Sequence, residues 1–201
     1  KERRLIDGMT SHGAQLLAPD KALSPIAYYS PDTGMGLLLT TWKGFNNPMN
    51  LGVIGLGTGT LAAYGDKHDD ITFYELNPDV ERFARLYFTY LDNTQSRVKV
   101  VLGDGRMSLS KRPQSAPKFD ILAVDAFSSD AIPKHLLTLE AFQLYWQHVS
   151  PNGALALHIS NNHLDLLPVV KSAAQQLGMQ LLYFSKFERS ALGTSAQWVV
   201  M

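Results

Sequence analysis

The sequence predicts an α/β protein: a mostly parallel sheet with helices on both faces, preceded by a small β-rich cap. Three observations carry that expectation. From residue 51 onward, extended apolar runs alternate with helical patterns. Those runs are apolar throughout, as strands buried on both faces are. Several of them end in glycines or acids, the residue types that line a ligand crevice beyond strand C-termini.

Length and composition bound the reading. The 201 residues suit one domain with a small appendage, and the expected division is 1–50 for the cap and 51–201 for the α/β unit. There is no cysteine, which excludes disulfides, Cys-ligated zinc, iron–sulfur clusters and thiol catalysis together. Eighteen Lys and Arg balance eighteen Asp and Glu, which argues against a general nucleic-acid or anionic-membrane binder. No apolar run approaches the roughly 20 residues that span a bilayer. Hence the stretch from Lys1 reads as soluble, with room for a membrane segment upstream.

Residues 1–50 are punctuated by Gly8, Gly13, Pro19, Pro25, Pro31, Gly34, Gly36, Gly44 and Pro48. Short extended stretches at 14–17 and 36–42 are expected between these breakers, with little helix. The following strands are expected at 51–56, 71–75, 98–102, 119–125 and 154–160. Asn77-Pro78 supplies an N-cap and a first-turn proline for a helix carrying Phe83, Leu86 and Tyr87 on one face. Thr138 caps a helix through about 149, where Phe142, Tyr145, Trp146 and Val149 share a face. Pro151-Asn152-Gly153 reads as a turn. A helix over 167–177 stops at Gly178. Stretches 179–184 and 197–201 leave no room for a helix between them, so they are expected to pair antiparallel.

The strand ends carry the candidate chemistry. The first ends in Gly55-Leu56-Gly57-Thr58-Gly59, a turn that lets a ligand approach the backbone near a helix N-terminus. Thr60 stands where the dinucleotide pattern needs a third glycine, which tilts the reading toward an adenosyl-sulfonium ligand. Glu75 ends the second strand, 20 residues after Gly55, where a carboxylate can accept both ribose hydroxyls. Asp104, in Gly103-Asp104-Gly105, can accept from an adenine amino group or cap a helix, and the two roles are compatible. Asp125 ends an otherwise apolar strand, a costly place for a charge unless it is paired or used. Asp130 follows in the loop Ser128-Ser129-Asp130.

His12, His135, His158 and His163 lack the spacing of a metal site, so no metal is expected. His158 ends a strand close to the expected pocket. Trp42, Trp146 and Trp198 read as core. Arg106 and Lys111-Arg112 read as a solvated helix face.

Together the motifs GLGTG, Glu75, GDGR and DAFSSDAIP resemble the spermidine synthase family of aminopropyltransferases, most of all the spermidine-synthase-like domains of bacteria fused behind membrane helices. Ser11-His12-Gly13-Ala14-Gln15 and Tyr28-Tyr29 add to the likeness, which runs from about Arg3 to Met201. The resemblance implies a class I S-adenosylmethionine-dependent methyltransferase-like (Rossmann-like) fold with a seven-stranded sheet. It implies an enzyme that moves an aminopropyl group from decarboxylated S-adenosylmethionine to a diamine such as putrescine. By position, Gly55, Gly57 and Gly59 would face the methionine-like part of the cosubstrate, Glu75 the ribose, and Asp104 and Gly105 the adenine. Gln15 would lie near the cosubstrate. Asp125 would be the base, with Asp130, Tyr29 and Ser128 on the amine side. The resemblance further implies a homo-oligomer and a cytoplasmic site of action, tethered to the inner membrane if an anchor precedes Lys1.

Transfer to an amine needs a base, because the amine is protonated in water. Both substrates are cations, and two unit charges 4 Å apart repel by about 4 kcal/mol at an effective dielectric of 20. An acidic pocket is therefore expected. Residues 120–165 supply Asp120, Asp125, Asp130, Glu140 and Asp165 against Lys134 alone. Tyr29 is followed by Ser30 and Pro31 rather than the family's acid, and Ala126-Phe127 lengthen the loop after Asp125. Those departures keep two alternatives open: a methyltransferase using intact S-adenosylmethionine, and a non-catalytic ligand-binding domain of a membrane-fused protein.

Overall fold

The computed structural model describes residues 1–8, 10–45, 48–127, 132–161, 164–187, 190 and 192–201. A two-stranded antiparallel hairpin opens the chain, β1 (Glu2–Asp7) with β2 (Thr10–Leu16). The main sheet follows: β3 (Asn50–Ile54), β4 (Asp70–Glu75), β5 (Arg97–Leu102), β6 (Phe119–Val124), β7 (Val149–His158), β8 (Leu182–Lys186) and β9 (Ala196–Val200). Its spatial order is β5-β4-β3-β6-β7-β9-β8. The first five are parallel, and β9 runs antiparallel to both β7 and β8. This is the expected seven-stranded sheet of the class I methyltransferase-like fold. Its order reverses between β3 and β6, so the crevice for a ligand opens above those two strand ends.

The continuous apolar strands sort their residues onto two cores. Leu51, Val53, Ile121 and Ala123 face one side, with Met35, Leu39 and Trp198. Ile54, Leu122, Val124, Leu155 and Leu157 face the other, with Phe142, Tyr145 and Val170. The first face is covered by α1 (Gly34–Phe45), α2 (Pro78–Tyr87) and α3 (Tyr90–Asn93). The second is covered by α4 (Gly105–Ser110), α5 (Leu139–His148) and α6 (Leu167–Gln176). Asn77 caps α2 by accepting the Asp79 N–H at 2.9 Å, and Thr138 caps α5 at Ala141. No described helix is long and apolar enough to cross a membrane.

Three local expectations are corrected. Stretch 36–42 is not extended but lies inside α1, which packs on β8 and β9. Met35, Leu38, Leu39 and Trp42 recur at helical spacing, and Gly36 is there because a Cβ would sit 2.2 Å from the Ser30 carbonyl. The helix expected to start after the glycine turn is a short 3-10 turn, Thr60–Tyr64. Pro151-Asn152-Gly153 falls within β7, where a register shift against β6 takes up the extra residues.

The hairpin is clamped to the body through Gln15, which is 3% exposed. Its amide donates to Thr89 Oγ1 at 2.7 Å and to the Ala22 carbonyl at 2.9 Å, and its oxygen accepts the Thr89 N–H at 3.1 Å. The Tyr90 hydroxyl adds a bond to the Ala14 carbonyl at 3.0 Å. Gln15→Ala leaves buried partners unsatisfied, so it should lower unfolding stability by about 1–3 kcal/mol in a denaturant titration. Proteolysis should then cut the hairpin before the sheet.

Candidate active site

A cavity of about 740 Å³ lies under the hairpin, above the C-terminal ends of the parallel strands. Its floor is the crossing of two backbones. The Asp125 N–H donates to the Ile54 carbonyl at 2.8 Å. A Cβ on Gly55 would stand 2.2 Å from the Asp125 carbonyl. Gly55 has φ of 102° and Gly57 of 54°, conformations that L side chains rarely adopt. A Cβ on Gly57 would lie 2.2 Å from the His12 carbonyl, so this glycine lets the hairpin close over the turn.

Glu75 is 9% exposed and ties the strand ends together. Its two oxygens accept the backbone N–H groups of Leu56 at 3.0 Å and Asn77 at 2.8 Å. The carboxylate is thereby held at the cavity wall with lone pairs left for a diol. Asp104 performs the cap role, accepting the Met107 N–H at 2.8 Å, while its other oxygen meets His135 Nε2 at 2.8 Å. Burial pushes its carboxyl up, but the Met107 N–H and His135 outweigh that and hold it below the usual range. Asp104 and Gly105 both line the cavity.

Asp125 sits at the end of β6 with its side chain 5% exposed. The Tyr29 hydroxyl donates to Oδ2, and His158 Nδ1 lies 2.7 Å from Oδ1. Burial, then the Asp125 charge, pushes the Tyr28 and Tyr29 hydroxyls well up, so both stay protonated. His158 ends β7, stacked between Tyr28 at 4.7 Å and Trp198 at 4.6 Å, with the Phe127 ring edge-on at 5.0 Å.

The structure sorts the sequence candidates. Gly55, Gly57, Glu75, Asp104, Gly105 and Asp125 line one cavity. Gln15 does not: its amide is taken up by the hairpin clamp. Gly59 also stands apart, with its missing Cβ directed at Leu91. Tyr29 is buried behind Asp125, and its neighbour Tyr28 lines the cavity instead. Ser128 and Asp130 lie outside the described residues.

The acidic rim expected from residues 120–165 is corrected. Asp120 is the second residue of β6, at the strand end far from the cavity, where it accepts the Asn50 N–H at 2.8 Å. Asp165 accepts the Leu167 N–H at 3.1 Å, and Glu140 is exposed on the first turn of α5. Only Asp125 of that group is found in the described lining. The cavity is acidic all the same. Asp7, Glu75, Asp79, Asp104 and Asp125 line it against one arginine, Arg4, among the described residues. The linear reading gave Tyr28, His135 and Ser160 no place in the site, and they reach it only through the fold. Among the described residues no cluster of acids and histidines could hold a metal ion.

Gly57→Ala should weaken binding of an adenosyl ligand at least about tenfold by calorimetry. The added methyl meets a backbone oxygen that cannot yield without lifting the hairpin.

Comparison with known proteins agrees with this architecture. No family model matches the sequence. A polyamine aminopropyltransferase of Vibrio vulnificus is 32% identical over 113 residues, 54% of this chain and 36% of that protein. The chain thus spans about a third of that relative's length. Among solved structures, spermidine synthase from Thermotoga maritima superposes with a TM-score of 0.56 at 19% identity, covering 77% of this chain and 53% of that one. Human methyltransferase-like protein 13 in complex with SAH gives 0.61 at 20% identity, over 82% and 73%. The two structures share the fold, and the Vibrio vulnificus protein shares sequence as well. These similarities give the chain the class I methyltransferase-like fold, with a likeness in sequence to a polyamine aminopropyltransferase over about half its length.

Proposed function

We propose that the chain transfers an aminopropyl group from decarboxylated S-adenosylmethionine to a primary amine, putrescine being the first candidate. The observation that carries this reading is the buried carboxylate of Asp125. It faces a cavity that also holds the glycine turn and Glu75. The acids around the cavity offset the repulsion between a sulfonium and an ammonium, about 4 kcal/mol at 4 Å and an effective dielectric of 20.

In this reading Glu75 holds the ribose diol and Asp104 with Gly105 borders the adenine. The amine gives one proton to Asp125, which frees its lone pair. The nitrogen then attacks the methylene beside sulfur. A C–N bond forms, the C–S bond breaks, and the sulfur leaves with the electron pair as a neutral thioether. Asp125 later returns its proton to solvent. Tyr29, protonated throughout, keeps one carboxylate oxygen in place. Ser128 and Asp130 belong to the amine side of this proposal.

Incubation with decarboxylated S-adenosylmethionine and a panel of amines should release methylthioadenosine. Asp125→Asn should lower that rate about 10²- to 10⁴-fold while leaving cosubstrate affinity near the wild type. Release unchanged by Asp125→Asn, or none with any amine, would overturn the proposal.

A second reading is methyl transfer from intact S-adenosylmethionine. Arg4 of the hairpin lines the same cavity, offering a cationic partner to the carboxylate that the decarboxylated form lacks. Calorimetry with the two cosubstrates separates the readings. Tighter binding of the carboxylated form, lost in Arg4→Ala, would favour methyl transfer.

A further inference from the structure

The aminopropyl-transfer scheme uses Asp125 and Tyr29 but leaves His158 without a task, although this imidazole is the second partner of the reacting carboxylate. Its surroundings are specific. The ring is 6% exposed, sandwiched between Tyr28 and Trp198 at interplanar angles of 19° and 17°. Nδ1 lies 2.7 Å from Asp125 Oδ1, and Nε2 lies 2.8 Å from Ser160 Oγ. Ser160 Oγ in turn accepts the Gln197 N–H at 2.8 Å.

These contacts select one proton arrangement. A carboxylate only accepts, so the proton between Asp125 and His158 belongs on Nδ1. Ser160 Oγ already accepts from Gln197, which leaves its hydroxyl hydrogen free to donate to Nε2. A neutral imidazole protonated at Nδ1 therefore satisfies every group in the chain from Gln197 to Asp125. The titratable groups facing the ring are Asp125 from β6 and the Tyr28 and Tyr29 hydroxyls from the segment before α1. Trp198 of β9 and Phe127 complete the enclosure without charge.

We propose that His158 is a positioning residue for Asp125. Its Nδ1–H, locked in that tautomer by Ser160 and by the ring stack, holds Oδ1 in the plane from which Asp125 takes the acceptor's proton. The inference rests on the reading of Asp125 as the base. With Tyr29 on one oxygen and His158 on the other, the carboxylate cannot rotate, and each oxygen keeps a lone pair for the incoming amine.

Two substitutions separate positioning from packing. His158→Phe keeps a ring in the stack but has no donor. His158→Asn keeps an amide N–H near the Nδ1 position but loses the ring. If His158 positions Asp125, His158→Phe should lower kcat for methylthioadenosine release about 10- to 100-fold, the usual effect of removing an outer partner. Its KM for the cosubstrate should stay within about twofold. The acidic limb of its pH–rate profile should move to higher pH, because a carboxylate that loses a donor is protonated more readily. His158→Asn should recover most of kcat and the wild-type limb. Nitrogen-15 NMR of the histidine-labelled wild-type chain should show His158 protonated at Nδ1 and not at Nε2.

His158→Phe matching or exceeding His158→Asn in kcat, or an Nε2-protonated His158, would overturn the inference while wild-type turnover leaves the transfer reading intact. A wild-type chain that turns over no amine overturns the transfer reading itself, and with it the catalytic purpose of His158.

Discussion

A single carboxylate, that of Asp125, sets the arrangement of three separate parts of the chain. Burying an ionised group without partners costs far more than one domain can tolerate. Here the two oxygens are met by donors from two other segments, Tyr29 from the stretch before α1 and His158 from the end of β7. Satisfying this charge therefore fixes where β6, β7 and the tyrosine pair stand relative to one another. The backbone repeats the constraint, since Gly55 presses against the Asp125 carbonyl with no room for a side chain. The ends of β3 and β6 are thus held together at the point where the strand order reverses.

The hairpin completes what the sheet begins. A parallel sheet leaves its C-terminal side open, and a ligand bound there is exposed to water on its upper side. Contact between the His12 carbonyl and Gly57, together with the packing of Gly13 on Thr58, lowers the hairpin onto the glycine turn. Gln15 and Tyr90 secure its far end. Asp7 and Arg4 come with it, so the cavity's charge is shared between two parts of the fold.

Much of the architecture could be read along the chain. Apolar runs marked the parallel strands, and Asn77 and Thr138 marked helix starts that the capping bonds explain. Stretch 36–42 misled because Gly34, Gly36 and Gly44 look like breakers; Gly36 instead lets α1 approach the Ser30 carbonyl. The acidic rim misled for a different reason. Asp120 and Asp125 are five residues apart, but on a strand that is about 16 Å, nearly the whole length of β6. A linear window counted both as one patch, whereas strand direction puts them at opposite ends.

What the sequence determined by itself was the strand–helix alternation, the glycine turn after β3, and the acids at the ends of β4 and β6. Each depends on local backbone preference or on the high cost of a charge at the end of an apolar run. What only the tertiary structure decided was partnership. Tyr29, Asp125, His158 and Ser160 are spread over more than 130 residues and meet only because β6, β7 and β9 lie near one another in the sheet. Hydrogen bonds act over about 3 Å in space, and periodicity along a chain carries no record of which strand ends will be neighbours.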